Sequence, residues 1–186
     1  MKRILFSVLL TFLIIGCIRL WVGEASRTSY SDKDYNFSNA QIMLVGVDIP
    51  ESCKNSVDED VMDIVYSIVK EELKIKGVRV VTPDVIMDDW EKYATERSFD
   101  WWDKTQMAIY AANELNALIL GVNILEYKTE NRLSNVVVNF TLVDAKNSNP
   151  LVWEGDFIYR RALGKKESLL RDCFRRARKE IGGKRK

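Results

Sequence analysis

ALILGVNIL, residues 117–125, is a nearly continuous apolar run with Gly121 inside it, and it reads as a β-strand. The stretch before it, DKTQMAIYAANELN from Asp103 to Asn116, has helical character, and Ala108, Ala111 and Ala112 give it the small surface needed to pack closely on a sheet. After it, Val136 to Val143 alternates apolar and polar residues. Asp144 to Pro150 (DAKNSNP) carries dense turn signals, and Leu151 to Arg160 is strand-like again, so these two strands form a hairpin with a long turn. The chain then closes with a helix from Glu167 to Ile181. Leu169, Leu170, Cys173, Phe174, Ala177 and Ile181 lie along one face of it, and Gly182-Gly183 ends it.

Upstream of the decisive run, Gln41 to Val47 (QIMLVGV) reads as a central strand closed by Asp48 and Pro50. Ser56 and Glu59 have the spacing of a capping box. Val57, Val61, Ile64, Val65, Ile68 and Leu73 follow at helical spacing until Gly77, which predicts an amphipathic helix of about twenty residues. Val78 to Val81 is a second short strand, and Thr82 with Pro83 opens another helix. Helices interleave early and a meander comes late. The expected fold is therefore an α/β class domain, an α+β sandwich with a mixed four- to five-stranded sheet covered by helices, a late hairpin and a C-terminal helix. The expected division is residues 1–16 as an export signal, 17–39 as a polar tether, 40–182 as one domain and 183–186 as a basic tail. No internal repeat is visible.

Composition narrows the function. The chain has 186 residues, 47% of them apolar and 30% charged, which suits one globular domain rather than two or a disordered chain. It contains no histidine. Ser-His-Asp and Cys-His catalysis and histidine metal sites are thereby excluded, and three cysteines cannot form a four-cysteine zinc site. No cofactor is expected.

Lys2 and Arg3 precede an apolar run from Ile4 to Ile15, the layout of a secretory signal peptide. Leu13-Ile14-Ile15-Gly16-Cys17 then resembles the lipobox of bacterial lipoproteins. The resemblance implies diacylglycerol and a further acyl chain (palmitate-type) on Cys17, cleavage before it, and anchoring to a membrane without a spanning helix. Ile18, not aspartate, follows the cysteine, which by the usual sorting rule favours the outer membrane of a didermal cell and a periplasmic domain. An uncleaved anchor and a cleaved, unlipidated chain are the alternatives. The uncharged stretch Ile4 to Ile18 is only 15 residues long, against about 20 for a comfortable span.

The element order, with IMLVGV, GVRVVTPDVI, ANELNALILGVNILEY and FTLVDAKNSNPLVWEGDF, resembles the small periplasmic α/β domain of a known group. That group comprises the TolB amino-terminal domain, the curli-secretion-channel lipoprotein and the penicillin-binding-protein activator lipoproteins. The resemblance covers roughly residues 40 to 182 and implies an envelope module that docks on other envelope components, with no catalysis.

Several clusters invite a site. Trp90, Tyr93, Trp101 and Trp102 crowd an irregular segment and are the first candidates for a partner-docking surface, with packing over a sheet edge as the alternative. Asp58, Glu59, Asp60 and Asp63 suit the first turn of a helix better than a cation site, and Asp88, Asp89 and Glu91 lack a calcium-loop pattern. Residues 160–186 carry a net charge of +9, so everything before them sums to −8. That basic end could seat on anionic lipid or an acidic partner, or could be a solvated helix face. Cys53 and Cys173 could form a disulfide, or Cys173 could be a buried small hydrophobe.

Three functions are in play. The first is a non-catalytic envelope lipoprotein docking on an envelope protein or polymer near the membrane. The second is an envelope enzyme using carboxylates such as Asp144, Glu154 and Asp156, and the third an oligomeric structural subunit joined through sheet edges. Export removes nucleic acid from the list of partners.

Overall fold

The computed structural model describes residues 22–32, 34–35, 41–58, 61–74, 79–100, 103–147 and 150–182. They build one mixed sheet of six strands: β1 (Val22–Ser31), β2 (Gln41–Asp48), β3 (Arg79–Val81), β4 (Ala117–Glu130), β5 (Leu133–Val143) and β6 (Leu151–Ala162). Four helices accompany it: α1 (Val61–Glu72), α2 (Pro83–Glu96), α3 (Lys104–Glu114) and α4 (Lys166–Gly182). The strand order is β1-β6-β5-β4-β2-β3. β3, β2 and β4 run parallel, while β4, β5, β6 and β1 alternate in direction.

The parallel part follows from helical crossovers, and the antiparallel part from short turns. Asn131 and Arg132 join β4 to β5, with φ of 50° and 65°. Positive φ at both central residues is the two-residue hairpin whose twist matches that of the strands. Asp144 organises the β5–β6 turn, accepting from the Lys146 amide at 3.1 Å and from Asn147 Nδ2 at 2.9 Å.

Alternation along the strands separates two faces. Leu120, Val122, Val138, Phe140, Leu142, Trp153 and Phe157 point to one side, where α1 and α4 cover them with Val65, Ile68, Leu170 and Phe174. Gly155 admits the Trp153 indole: a Cβ there would stand 2.7 Å from Trp153 Cζ2. On the other side α2 and α3 pack against β2 and β4, enclosing a second core of Met43, Val81, Ile86, Trp90, Ala94, Met107 and Tyr110. Asp103 caps α3, accepting from the amides of Thr105 at 2.9 Å and Gln106 at 3.1 Å.

The expected fold class holds, with three corrections. The sheet has six strands rather than four or five, and the extra one, β1, occupies part of the segment expected to be a tether. Residues 23–29 of β1 are exposed, so no burial pattern marks the strand in sequence, and backbone pairing to β6 holds it. α1 is described over twelve residues from Val61, because the chain before it is spent on a 3₁₀ turn at Glu51–Ser56 and a bridge between Val57 and Tyr127. Glu59, the second member of the expected capping box, lies outside the described residues.

Candidate functional site

The aromatic candidates divide. Trp101 and Trp102 lie outside the described residues. Trp90 is fully buried, which overturns its reading as an exposed docking anchor. Its ring lies 5.6 Å from Tyr110 and 6.0 Å from Tyr93, and Tyr93 meets Tyr110 edge-on at 4.7 Å. Tyr93 is half-buried, with the Arg97 guanidinium 3.7 Å from its ring centre. These rings fill the second core. Aromatic density marks an interface and a small core equally well, which is why sequence could not separate them.

The disulfide alternative is also overturned. Cys53 and Cys173 are both free. Cys173 faces the main core from α4, and burial pushes its thiol well above the ordinary range.

The basic helix is largely spent inside the molecule. Arg171 pairs with Glu71 and Glu167, Arg175 with Glu72 at 2.7 Å, Arg176 with Glu180 at 2.9 Å, and Lys166 with Asp58. Arg178 donates to the Glu72 carbonyl at 3.1 Å. The acidic end of α1 is thus matched to the basic face of α4, as opposite charges on two packed helices should be. The bond from Arg175 holds the Glu72 carboxyl below its ordinary value, and burial opposes it. A lowered carboxyl stabilises the fold above its unfolded value of about 4.5 and loses that contribution as the pH falls through the folded value. Glu72→Gln is expected to cost about 1–2 kcal/mol at pH 7 in urea unfolding, and the gap to wild type should narrow as the pH falls below the unfolded value and through the folded one.

No group of three or more carboxylates or cysteines that could hold a metal ion occurs among the described residues. Asp88 and Glu91 line an open depression on the solvent side of α2 with Lys92, Thr95 and Glu96. Of the three carboxylates of the enzyme reading, Asp144 and Asp156 are committed elsewhere, and Glu154 lies on β6 between Tyr30 and Thr141 of the neighbouring strands. Asp144 accepts from Tyr35 Oη at 2.8 Å as well as from its own turn, and burial together with that bond raises the Tyr35 hydroxyl far above its ordinary value.

Asp156 belongs to a polar row that sequence reading missed. Asn123, Asn139 and Asp156 stand opposite one another on β4, β5 and β6, on the sheet face turned away from α1 and α4. Asn123 Nδ2 donates to Asn139 Oδ1 at 3.1 Å, Asn139 Nδ2 to Asp156 Oδ1 at 2.9 Å, and Ser29 Oγ of β1 to Asp156 Oδ2 at 3.3 Å. Arg27 is the register partner of Asp156. This row fixes the order of four strands with side-chain bonds. The available signal was a polar residue amid the apolar middle of each strand, Asn123, Asn139 and Asp156, and it becomes readable only once the register is known.

At one end of the sheet, loops meet the start of β1. Val22 lies opposite Arg161, and Leu133 opposite Ala162. The Leu163 amide donates to the Arg132 carbonyl at 2.8 Å, and the buried Ser134 hydroxyl donates to the Gly164 carbonyl. Leu163 itself is 80% exposed with φ of 56°.

No protein-family model matches the chain, and no curated protein matches it. Among solved structures, the chain is similar to the PelC dodecamer from Paraburkholderia phytofirmans, with TM-score 0.57, 14% identity, and coverage of 86% of this chain and 98% of that one. A single-substitution variant of that dodecamer gives TM-score 0.55 at 14% identity, with the same coverage of 86% and 98%. Lipoprotein GNA1162 from Neisseria meningitidis gives TM-score 0.49 at 17% identity, covering 77% of this chain and 99% of that one. At these identities the PelC likeness shows a shared α/β fold.

Proposed function

We propose that this chain is a bacterial cell-envelope lipoprotein, carried on acyl chains at Cys17 after removal of residues 1–16, whose domain faces the periplasm as a non-catalytic interaction module. The observation that carries the reading is the placement of the lipobox-like LIIGC only five residues ahead of Val22, where β1 enters the sheet. A lipid on Cys17 would hold the domain directly on a membrane surface. Each acyl chain contributes about 0.8 kcal/mol per buried CH₂, so two or more make a stable anchor. Ile18 favours the outer membrane. The non-catalytic character is supported by the commitment of Asp144 and Asp156 to structural hydrogen bonds.

A second element of the proposal is assembly. The PelC structures of the same fold are dodecamers, and β1 here presents a ten-residue strand at the edge of the sheet. Among the described residues that edge is unpaired, and an unpaired edge is a template for another chain. A closed ring of like subunits, docking on an envelope protein or polymer, fits both observations.

Intact mass and membrane partitioning of wild type and Cys17→Ala test the anchor. Wild type is expected to lose residues 1–16, gain acyl mass and sediment with membranes, and the variant to remain unprocessed and unacylated. A full-length, unmodified mass for both chains would make the apolar start an uncleaved membrane anchor and end the lipoprotein reading.

A further inference from the structure

We propose that the end of the sheet formed by the Asn131-Arg132 turn, the Leu163–Lys165 loop and the start of β1 is a docking face for a bilayer rich in anionic headgroups, with Leu163 entering the interface. The inference deepens the membrane-anchor reading and rests on it for the source of the bilayer.

Four observations place the bilayer there. Position comes first. Val22 lies opposite Arg161 and Gly23 opposite Arg160, so the chain enters the sheet at this end. Cys17 is five residues earlier, a reach of at most about 18 Å even when extended. An acyl anchor therefore keeps this end, and not the opposite one, within a few residues of the membrane.

Charge comes second. Arg132, Arg160 and Lys165 are exposed and form no ion pair among the described residues. Arg161 reaches Asp172 only at 3.8 Å, and Glu130 is occupied by Lys128 at 3.0 Å. Glu24, the remaining carboxylate near the start of β1, accepts from Tyr159 Oη at 2.8 Å. The far end of the sheet is mixed in charge, with Lys146 bonded to Asn116 and the basic last turns of α4 beside its carboxylates. Asp32 bonds to the Val152 carbonyl there through its amide, Asp34 is tied to Asp32, and Asp144 lies in the β5–β6 turn beside Lys146. A face that carries three exposed, unpaired cations is drawn towards a negative surface. Three unpaired cations together are worth on the order of a hundredfold in partition to an anionic bilayer.

The third is the exposed leucine. A left-handed backbone suits glycine or asparagine, yet this position carries Leu, 80% exposed. A residue held in an unfavourable conformation with its apolar side chain in water is the kind of outlier from which function is inferred. The fourth is rigidity. The bonds from the Leu163 amide to Arg132 and from Ser134 to Gly164 fasten the loop to the hairpin turn, so the leucine is presented by built structure.

The test places a fluorophore on the full-length chain, in a Cys53→Ser background, at Leu163→Cys, at neighbouring Asn131→Cys or at Lys146→Cys on the far end. The chain is attached to vesicles containing a nitroxide-lipid quencher, made of phosphatidylcholine alone or with phosphatidylglycerol. Intact mass records whether attachment is by acylated Cys17 or by an uncleaved apolar start. In anionic vesicles, quenching at 163 and 131 is expected to exceed that at 146 by roughly threefold or more. The ratio should fall towards one in pure phosphatidylcholine, and also in the Arg132→Glu, Arg160→Glu, Lys165→Glu variant, whose unchanged melting temperature would show that it is folded. Equal quenching at both ends of the sheet in anionic vesicles overturns the docking face, and in an acylated chain it does so while the lipoprotein reading stands. Preferential quenching at 163 in an unacylated chain upholds the docking face while that reading falls.

Discussion

Replacing Phe140 with alanine is expected to destabilise the domain by about 3–5 kcal/mol, a large fraction of the roughly 5–15 kcal/mol that holds a typical domain together. Phe140 is fully buried in the middle of β5. Its ring meets Phe157 of β6 edge-on at 5.5 Å and Phe174 of α4 edge-on at 4.9 Å. Both contacts are made by atoms that alanine lacks. The strands on either side are fixed by the Asn123-Asn139-Asp156 row on the opposite face, so the site has little freedom to collapse and a cavity remains. Urea unfolding should show a lower midpoint with an unchanged slope, and the melting temperature should fall by about ten degrees. Ile109→Ala is the control, since Ile109 is 43% exposed on α3 and should cost under about 0.5 kcal/mol. A cost below about 1 kcal/mol for Phe140→Ala would mean that the three rings do not pack as a unit.

The reach of the sequence can be followed element by element. α4 was legible because its apolar positions recur at the helical period and all face one core. The β5–β6 hairpin was legible because DAKNSNP can do little but turn. β4 ran longer than its apolar run because Tyr127 continues the buried face after a register shift between Ile124 and Glu126, and such a shift breaks the alternation that marks a strand. Trp90 misled because burial in a satellite core and burial in an interface select the same residue. The ion pairs between α1 and α4 were hidden for a related reason: the charges of each helix were visible, but their opposition belongs to packing. The face proposed for membrane docking was the least legible part, because Leu163, Arg132 and the start of β1 are far apart in sequence and meet only through the register of four strands.

β1 was missed outright, and it is also where the second large effect is expected. Ala25→Pro with Ser26→Pro should detach β1 from β6. Neighbouring residues of a strand aim their amides to opposite sides, so one of these two amides points at β6 whatever the phase of the ladder. Proline removes it and leaves a β6 carbonyl without its partner, a local cost of about 1–3 kcal/mol. Little side-chain burial resists the loss, since residues 23–29 are exposed and the Tyr159-Glu24 and Thr28-Glu180 bonds depend on β1 staying in place. Hydrogen exchange should then accelerate at the β6 amides that face β1, while β5 and α4 keep their protection. The first residue of the chain fixed in the sheet would move from Val22 to Gln41, lengthening the link to Cys17 from five residues to twenty-four. A flexible link of that length has a typical reach of roughly 25–30 Å, so an acylated domain would no longer be held with its Leu163 end against the bilayer. The quenching preference for position 163 should therefore disappear in the double-proline variant even though Arg132, Arg160 and Lys165 are intact. If exchange at β6 is unchanged, β1 contributes nothing to the sheet and the short mount it provides is not what orients the domain. If exchange rises but the preference survives, the cationic end finds the membrane by its own charge.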